Sequence, residues 1–285
     1  MPPVSAAFTA VAALPSKRSL ALQSIKICGV TSADDASWIV ETIQHRVRTQ
    51  IWIGCVLWRH SRRHVSVEEA RDIATAVRDT AKATRAKART VAVFVDEDLA
   101  EIQHVCSAAA IDAAQLHGSL AWQEQLLQAR GPQQWPHWLD YARVLQPNHI
   151  QVQPFKRAMA TLDGRAPCYT LVDPGRGDGK PFDWRAFASE RLLGPAPGLW
   201  MIAGGLHAGN VAEAVRYTGA PGIDVASGVE RIASSCPGGP SPADGVSVAT
   251  LPPSTKVARG RPRKDRDRLR ALLDVVCSVY ETSST

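Results

Sequence analysis

From Ser24 onward, short apolar runs alternate with stretches whose apolar residues recur at helical spacing. Several of the runs are almost continuously apolar, which is typical of parallel strands that are covered on both faces. They predict eight strands, at Ile25–Cys28, Ile51–Trp58, Thr90–Val95, Ile111–Leu116, Tyr141–Leu145, Cys168–Asp173, Leu199–Ala203 and Ile223–Ala226.

The stretches between these runs predict helices. The clearest is Ser66–Ala81, where Ser66 and Glu69 have the spacing of a capping box. The last, at Asp265–Val279, carries leucines at helical spacing. Eight strands alternating with helices predict an α/β fold, a parallel eight-stranded (β/α)₈ TIM barrel. A doubly wound open sheet is the structural alternative, because alternation alone does not show that the sheet closes.

Two regions interrupt this pattern. Of the 28 residues in 231–258, 13 are Pro, Gly or Ser, and no periodicity is sustained. We expect a disordered basic insertion over 231–263, or retained non-coding sequence, before the last helix at 264–280. Residues 1–24 are expected to be a disordered tail or a targeting extension. Residues 25–285 then form a single barrel domain.

The positive charge of the chain is concentrated in one segment. Lys and Arg number 33 against 27 Asp and Glu, and residues 256–270 hold eight of the bases and only two of the acids. That segment accounts for the whole net charge of +6, so the remainder of the chain is neutral.

Composition also limits the location and the cofactors of the protein. No run approaches the ~20 apolar residues of a membrane-spanning helix. The six cysteines lie far apart, so we expect neither a zinc site nor a redox dithiol. A reducing compartment follows, which is the cytoplasm, or an organelle if residues 1–24 are a transit peptide.

Reactive residue types follow the predicted strands. In a barrel of this kind, the active site lies at the carboxyl ends of the strands. Glycine pairs after the last two strands would let backbone amides approach a phosphate. The residues at these ends are Cys28, Gln115, His117, Asp173, Gly204, Gly205, Ser227 and Gly228.

The order of short motifs along the chain resembles the phosphoribosylanthranilate isomerase family of tryptophan biosynthesis. No single motif carries the resemblance, which spans residues 25–230. The matching segments are Lys26–Thr31, Ser61–Ser66, Val93–Val95, Gln115–Gly118, Asp173 with Gly177–Gly179 and Phe182–Trp184, Ala203–Leu206, and Asp224–Glu230.

The resemblance implies an Amadori rearrangement, in which N-(5-phosphoribosyl)anthranilate becomes 1-(2-carboxyphenylamino)-1-deoxyribulose 5-phosphate. It makes Cys28 the general base and Asp173 the general acid. Arg63 would face the anthranilate carboxylate, and Gln115 and His117 would line the pocket. The ribose phosphate would be held by Gly177, Gly179, Gly204, Gly205, Ser227 and Gly228.

The expected partner is therefore a small phosphorylated substrate. We expect no cofactor, no metal and no membrane, and either a monomer or a homodimer. One departure from the family concerns this phosphate site, because Asp178 stands where a small hydroxyl residue is usual. A non-catalytic barrel that binds a phosphorylated sugar is therefore an alternative.

A second alternative belongs to another functional class. Arg259–Lys264 resembles an AT-hook, whose arginines enter the narrow minor groove of DNA. A solvated basic linker is the default interpretation of such a charge run, and we do not expect nucleic acid to be the partner.

Overall fold

The computed structural model describes residues 21–129, 135–145, 166–173, 184, 198–231 and 260–281. The first strand pairs in parallel with the second and also with the eighth, so the sheet closes into a barrel in chain order. The predicted barrel is confirmed, and the open-sheet alternative is wrong. The strands are β1 Ser24–Cys28, β2 Gln50–Val56, β3 Lys87–Phe94, β4 Ala113–Leu116, β5 Asp140–Leu145, β6 Tyr169–Val172, β7 Trp200–Ile202 and β8 Gly222–Val225.

Helices cover the outside of the barrel. In the described ranges they are α1 Ala33–Arg46, α2 Val67–Thr84, α3 Leu99–Ala109, α4 Leu120–Gln128, α5 Val211–Thr218 and α6 Arg266–Glu281, with a 3₁₀ turn at Ser227–Val229. The capping box is present, because Ser66 and Glu69 each accept the other's backbone N–H. None of the described helices has both the length and the apolarity needed to cross a bilayer.

Alternation along the strands divides the core in two. On β1, Ile25 and Ile27 belong to the cluster between the sheet and the helices. A second cluster fills the barrel and includes Trp52 and Tyr169. Because side chains alternate across a strand, Lys26 and Cys28 face the inside with this second cluster. The barrel interior therefore receives polar residues from strands that are otherwise apolar.

A segment of five residues, 260–264, returns the chain to the barrel before α6; we call it the closing segment. Lys264 pairs with Glu230 as an isolated antiparallel bridge. The backbone N–H of Arg231 donates to the carbonyl of Arg263 at 3.0 Å. The closing segment thus completes the rim of the barrel.

The disorder expected over 231–263 is wrong at both margins, since Arg231 and residues 260–263 lie against the barrel. Two arginines of the closing segment form ion pairs with helical carboxylates: Arg263 with Asp35 at 2.8 Å, and Arg261 with Glu69 at 2.7 Å. A charge run in the sequence does not reveal such partners. Residues 1–20 and 232–259 lie outside the described residues.

The same ion pairs bear on the DNA-binding alternative. That alternative requires the arginines of 259–264 to be available to a minor groove. In the structure, Arg261 and Arg263 bind carboxylates of α2 and α1 instead. DNA binding through this segment would first have to break both pairs.

Candidate active site

Cys28 is the last residue of β1 and is partly exposed at the carboxyl end of the barrel. Gly54 lies opposite it on β2. A Cβ at Gly54 would lie 3.1 Å from the Cys28 Sγ and 3.2 Å from the Lys26 Cε. The missing side chain at position 54 therefore makes room for both the thiol and the lysine.

A buried ion pair lies directly below the thiol. The Lys26 Nζ is 2.7 Å from the Asp224 Oδ2, and the two side chains are 0% and 6% exposed. Burial lowers the pKa of Lys26, but the charges of Asp224 and Cys28 outweigh it and raise that pKa above its ordinary value. Lys26 is thus a permanent cation inside the barrel.

The pair acts on the thiol in turn. Loss of water around Cys28 raises its pKa, while the Lys26 ammonium opposes that rise. Asp224 also keeps one carboxylate oxygen, Oδ1, buried without a hydrogen-bond partner in the described structure. Such an oxygen is able to accept a hydrogen bond from a bound hydroxyl group.

Asp173 follows β6, where its backbone N–H donates to the Leu145 carbonyl at 2.9 Å. Leu171 belongs to the interior cluster, so alternation turns Asp173 inward as well. Burial is the main cause that raises the pKa of Asp224. Asp173 adds to that rise through its charge, while Lys26 and His117 oppose it. Asp173, Asp224 and His117 therefore surround one space.

A chain of hydrogen bonds crosses the side of this space opposite Cys28. The buried Tyr169 hydroxyl donates to the Gln115 Oε1 at 2.9 Å. The Gln115 Nε2 and the His117 Nδ1 are 3.2 Å apart. With Gln115 as the donor, the neutral His117 ring carries its proton on Nε2. Gln115 and His117 are therefore held in place, and Tyr169 fixes the orientation of the amide.

Arg63 lies beside Gly29, the residue that follows Cys28. Gly29 has φ +69°, and a Cβ there would lie 2.2 Å from the Arg63 Cδ, so the arginine packs across this glycine. Its guanidinium is bonded to Glu230, with Nε 2.6 Å from Oε1. Sequence reasoning anticipates the position of Arg63 but not this carboxylate partner.

Glu230 is surrounded by cations. Arg62 at 2.6 Å and Lys264 at 3.3 Å bind the same carboxylate as Arg63. Although burial alone would raise the pKa of Glu230, hydrogen bonding to Arg63 and the charges of Lys264 and Arg62 lower it. Three cations against one carboxylate leave this rim positively charged.

The opposite end of the site is built from backbone and small side chains. Gly204 and Gly205 follow β7 with φ +93° and +62°, a conformation that favours glycine. A Cβ at Gly228 would lie 1.9 Å from the Leu206 carbonyl oxygen, so the turn after β8 touches the turn after β7. A pocket between them is lined by Gly205, His207, Ala208, Ser227, Gly228, Arg268 and Ala271.

The structure thus brings most of the expected site residues to one end of the barrel. Gly177, Gly179 and Asp178 lie outside the described residues. Sequence reasoning missed five residues at this end, namely Lys26, Tyr169, His207, Asp224 and Arg268. Lys26 and Asp224 left a signal, because each is a charged residue at an inward position of a mostly apolar strand.

Residues 25–232 match the family model described as N-(5′-phosphoribosyl)anthranilate (PRA) isomerase. Among curated proteins, the N-(5′-phosphoribosyl)anthranilate isomerase of Streptococcus gordonii is 35% identical over 210 residues, which cover 73% of this chain and 89% of that protein. The enzyme of the same name from Rhodospirillum centenum is 32% identical, over 72% of this chain and 88% of its own length.

Solved structures resemble the fold. The phosphoribosyl anthranilate isomerase of Thermotoga maritima superposes with a TM-score of 0.58 at 21% identity, covering 91% of this chain and all but 1% of its own. A phosphoribosyl anthranilate isomerase in complex with reduced 1-(o-carboxyphenylamino)-1-deoxyribulose 5-phosphate gives 0.57 at 20% identity, covering 90% and 99%. At these identities the two structures support the barrel alone.

Proposed function

The chain belongs to the N-(5′-phosphoribosyl)anthranilate isomerase family, and we propose that it catalyses that family's Amadori rearrangement at the carboxyl end of its barrel. The observation that carries the proposal is the pairing of a thiol and a carboxyl group across one space, with Cys28 at the end of β1 and Asp173 after β6. An aldose–ketose isomerisation needs one acid and one base on opposite sides of the sugar.

Asp173 is the proposed acid. It donates a proton to the ribose ring oxygen; the C1′–O bond breaks, and the anthranilate nitrogen supplies the electron pair that forms an iminium. His117 and Gln115 line the same space and orient the opened sugar.

Cys28 is the proposed base. Its thiolate removes the C2′ proton, and the electron pair of that C–H bond converts the iminium into an enamine, which tautomerises to the ketone. Only the thiolate form can remove this proton. Burial of the thiol away from water raises its pKa. The adjacent Lys26 ammonium is what keeps a reactive fraction of thiolate accessible.

The ends of the substrate match the two ends of the site. The surplus positive charge around Glu230 attracts the anthranilate carboxylate, and Arg63 is the arginine that lies against Gly29, next to Cys28. The turns at Gly204, Gly205, Ser227 and Gly228 receive the ribose phosphate through backbone amides, and the resemblance implies the same for Gly177 and Gly179, which lie outside the described residues.

We also propose that the chain acts in the cytoplasm, or in an organelle if residues 1–24 are a transit peptide, as a monomer or a homodimer. One solved structure from Thermotoga maritima is described as monomers generated from a dimeric enzyme, and two Arabidopsis thaliana relatives are named chloroplastic.

The test is growth of a tryptophan auxotroph that lacks this isomerase, combined with kinetics of purified variants. Cys28→Ala and Asp173→Asn are each expected to lower kcat by about 10²-fold or more, the scale of a lost acid or base. Cys277→Ala on α6, distant from the strand ends, is the matched control and keeps wild-type kcat. A wild-type chain that binds the phosphorylated substrate but neither turns it over nor restores growth would support the non-catalytic barrel instead.

A further inference from the structure

Among the described residues, one charged side chain lines the pocket between the turns after β7 and β8. Five of its lining residues are Gly, Ala or Ser, so most of its wall is backbone, hydroxyl and methyl groups. The two large residues are His207, in the turn after β7, and Arg268, in the first turn of α6. Within the described part of the chain, Arg268 is therefore the cation that a ligand in this pocket would meet.

Arg268 differs from the neighbouring arginines of its helix. The Arg266 guanidinium lies 4.8 Å from the centre of the Trp38 ring, and the Arg270 Nη1 is 3.4 Å from the Asp267 Oδ1. The backbone N–H of Arg268 donates to Asp265, but within the described ranges its guanidinium forms no ion pair. A cation that lines a pocket without a carboxylate partner is available to an anionic ligand.

The turn opposite Arg268 is fixed in shape. The Asn210 Nδ2 donates to the Gly205 carbonyl at 2.9 Å, and its Oδ1 accepts the His207 backbone N–H at 2.8 Å. The His207 Nδ1 accepts the Gly209 N–H at 3.0 Å, so the neutral ring carries its proton on Nε2. The pocket thus presents a preformed glycine turn and the Nε2–H donor of His207 across from the guanidinium.

We propose that Arg268 binds the phosphate group of the substrate and makes the site selective for phosphorylated over unphosphorylated sugars. This inference rests on the proposed function, because it assigns the phosphate to the pocket at Gly205, Ser227 and Gly228. A guanidinium offers two parallel N–H donors to two phosphate oxygens, which backbone amides alone do not provide. Arg268 is a binding residue that takes no part in proton transfer.

The experiment compares Arg268→Gln with Arg270→Gln. The second variant removes the same charge two residues further along the same helix. In Arg268→Gln, KM for the phosphorylated substrate rises by about ten- to a hundredfold, as expected for one charge-assisted bond, and kcat changes by less than about threefold. Arg268→Lys recovers part of the affinity as a point charge. The KM of Arg270→Gln stays at the wild-type value.

Binding of inorganic phosphate, followed by calorimetry or by shifts of backbone amide resonances, gives a readout that is independent of turnover. Arg268→Gln weakens phosphate binding and reduces its dependence on salt, while Arg270→Gln does neither. Equal KM and equal phosphate affinity in wild type and Arg268→Gln would overturn the inference even if the enzyme is active. Phosphate binding that depends on Arg268 in a chain without isomerase activity would instead support the inference and reject the proposed function.

Discussion

Cys28 lies between two buried lysines that come from distant parts of the chain. Lys26 is two residues before it on β1 and faces its thiol, whereas Lys264 in the closing segment donates to its carbonyl oxygen at 2.7 Å. The two are 0% and 1% exposed, and each also binds a carboxylate. Their surroundings nevertheless shift their pKa values in opposite directions.

The difference arises from the other charges nearby. Around Lys26 the charges of Asp224 and Cys28 outweigh burial and raise the pKa. Lys264 shares Glu230 with Arg62 and Arg63, and burial together with the neighbouring Arg63 charge lowers its pKa to about 8. Burial therefore does not decide by itself whether a lysine stays charged; the charges around it also contribute.

The two lysines accordingly suit different tasks. Lys26 keeps a fixed positive charge beside the reactive sulfur, which is what a thiolate base requires. Lys264 donates to the carbonyls of Cys28 and Ala226, at the ends of β1 and β8, and so connects the two strands at which the barrel closes. We expect loss of Lys26 to affect the chemistry most, and loss of Lys264 to affect stability and its pH dependence.

The largest effect is expected from Lys26. Replacing it with Met removes the cation that lowers the pKa of Cys28, so kcat falls by about 10²-fold and the ascending limb of the pH–kcat profile moves to higher pH. The measurement is kcat as a function of pH.

The single Lys26→Met variant leaves Asp224 buried without its partner, a loss of about 3–5 kcal/mol in the free energy of unfolding. Lys26→Met combined with Asp224→Asn removes both charges and recovers most of that stability, but not the rate. A folded double variant with the wild-type pH profile would show that the pair has no net influence on the pKa of the thiol.

A smaller effect is expected from Lys264. Its titration should raise the free energy of unfolding as the pH rises, whereas stability is usually lost in alkali. Its pKa is 10.5 as a free side chain and about 8 in the fold. Between these values the unfolded lysine still holds a proton that the folded lysine has released. Raising the pH through this interval therefore favours the folded chain, by at most about 1.4 kcal/mol per pH unit from this one group.

The measurement for Lys264 is urea unfolding at several pH values between 7 and 10.5, in wild type and in Lys264→Met. Because other groups also titrate in this interval, the comparison uses the difference between the two slopes. Identical slopes would contradict a lowered pKa at Lys264.

The smallest effect is expected where a cation of the closing segment lies at the surface. Arg261 and Glu69 are 46% and 37% exposed. Exposed ion pairs contribute about 0–1 kcal/mol, so Arg261→Gln should change the free energy of unfolding by no more than that and leave kcat unchanged. A loss of several kcal/mol would mean that the closing segment depends on this pair more than its exposure suggests.

The strands could be predicted from the sequence because each is short, mostly apolar and bounded by polar residues. Their ends came within a few residues of the structure, and the carboxyl ends, which matter for the site, were the more accurate. The largest error is at β3, where the strand begins at Lys87 instead of Thr90. At β4, Ile111 is expected in the strand. Its backbone N–H donates to Cys106 at the end of α3 instead, and the strand begins at Ala113.

The positions of Cys28, Asp173 and His117 at strand ends could likewise be anticipated, since local pattern and barrel geometry determine them. Their charge environment could not. Lys26 and Asp224 are 198 residues apart in sequence, and Arg63 and Glu230 are 167 apart. No local pattern encodes such pairings. Arg268 was missed for the same reason, because its role depends on two turns that meet only when the barrel closes.

The hydrogen bond from Arg231 to Arg263 has a consequence for the history of this gene. The chain leaves the barrel after Arg231 and is back against it at Arg263. These two residues are more than 30 positions apart in the sequence but are hydrogen-bonded to each other. Codons gained or lost between them leave the catalytic strand ends where they are, and a doubling of the length between them costs only about 0.6 kcal/mol in closure entropy. The rim at this junction is thus a place where a second domain could be grafted onto the barrel.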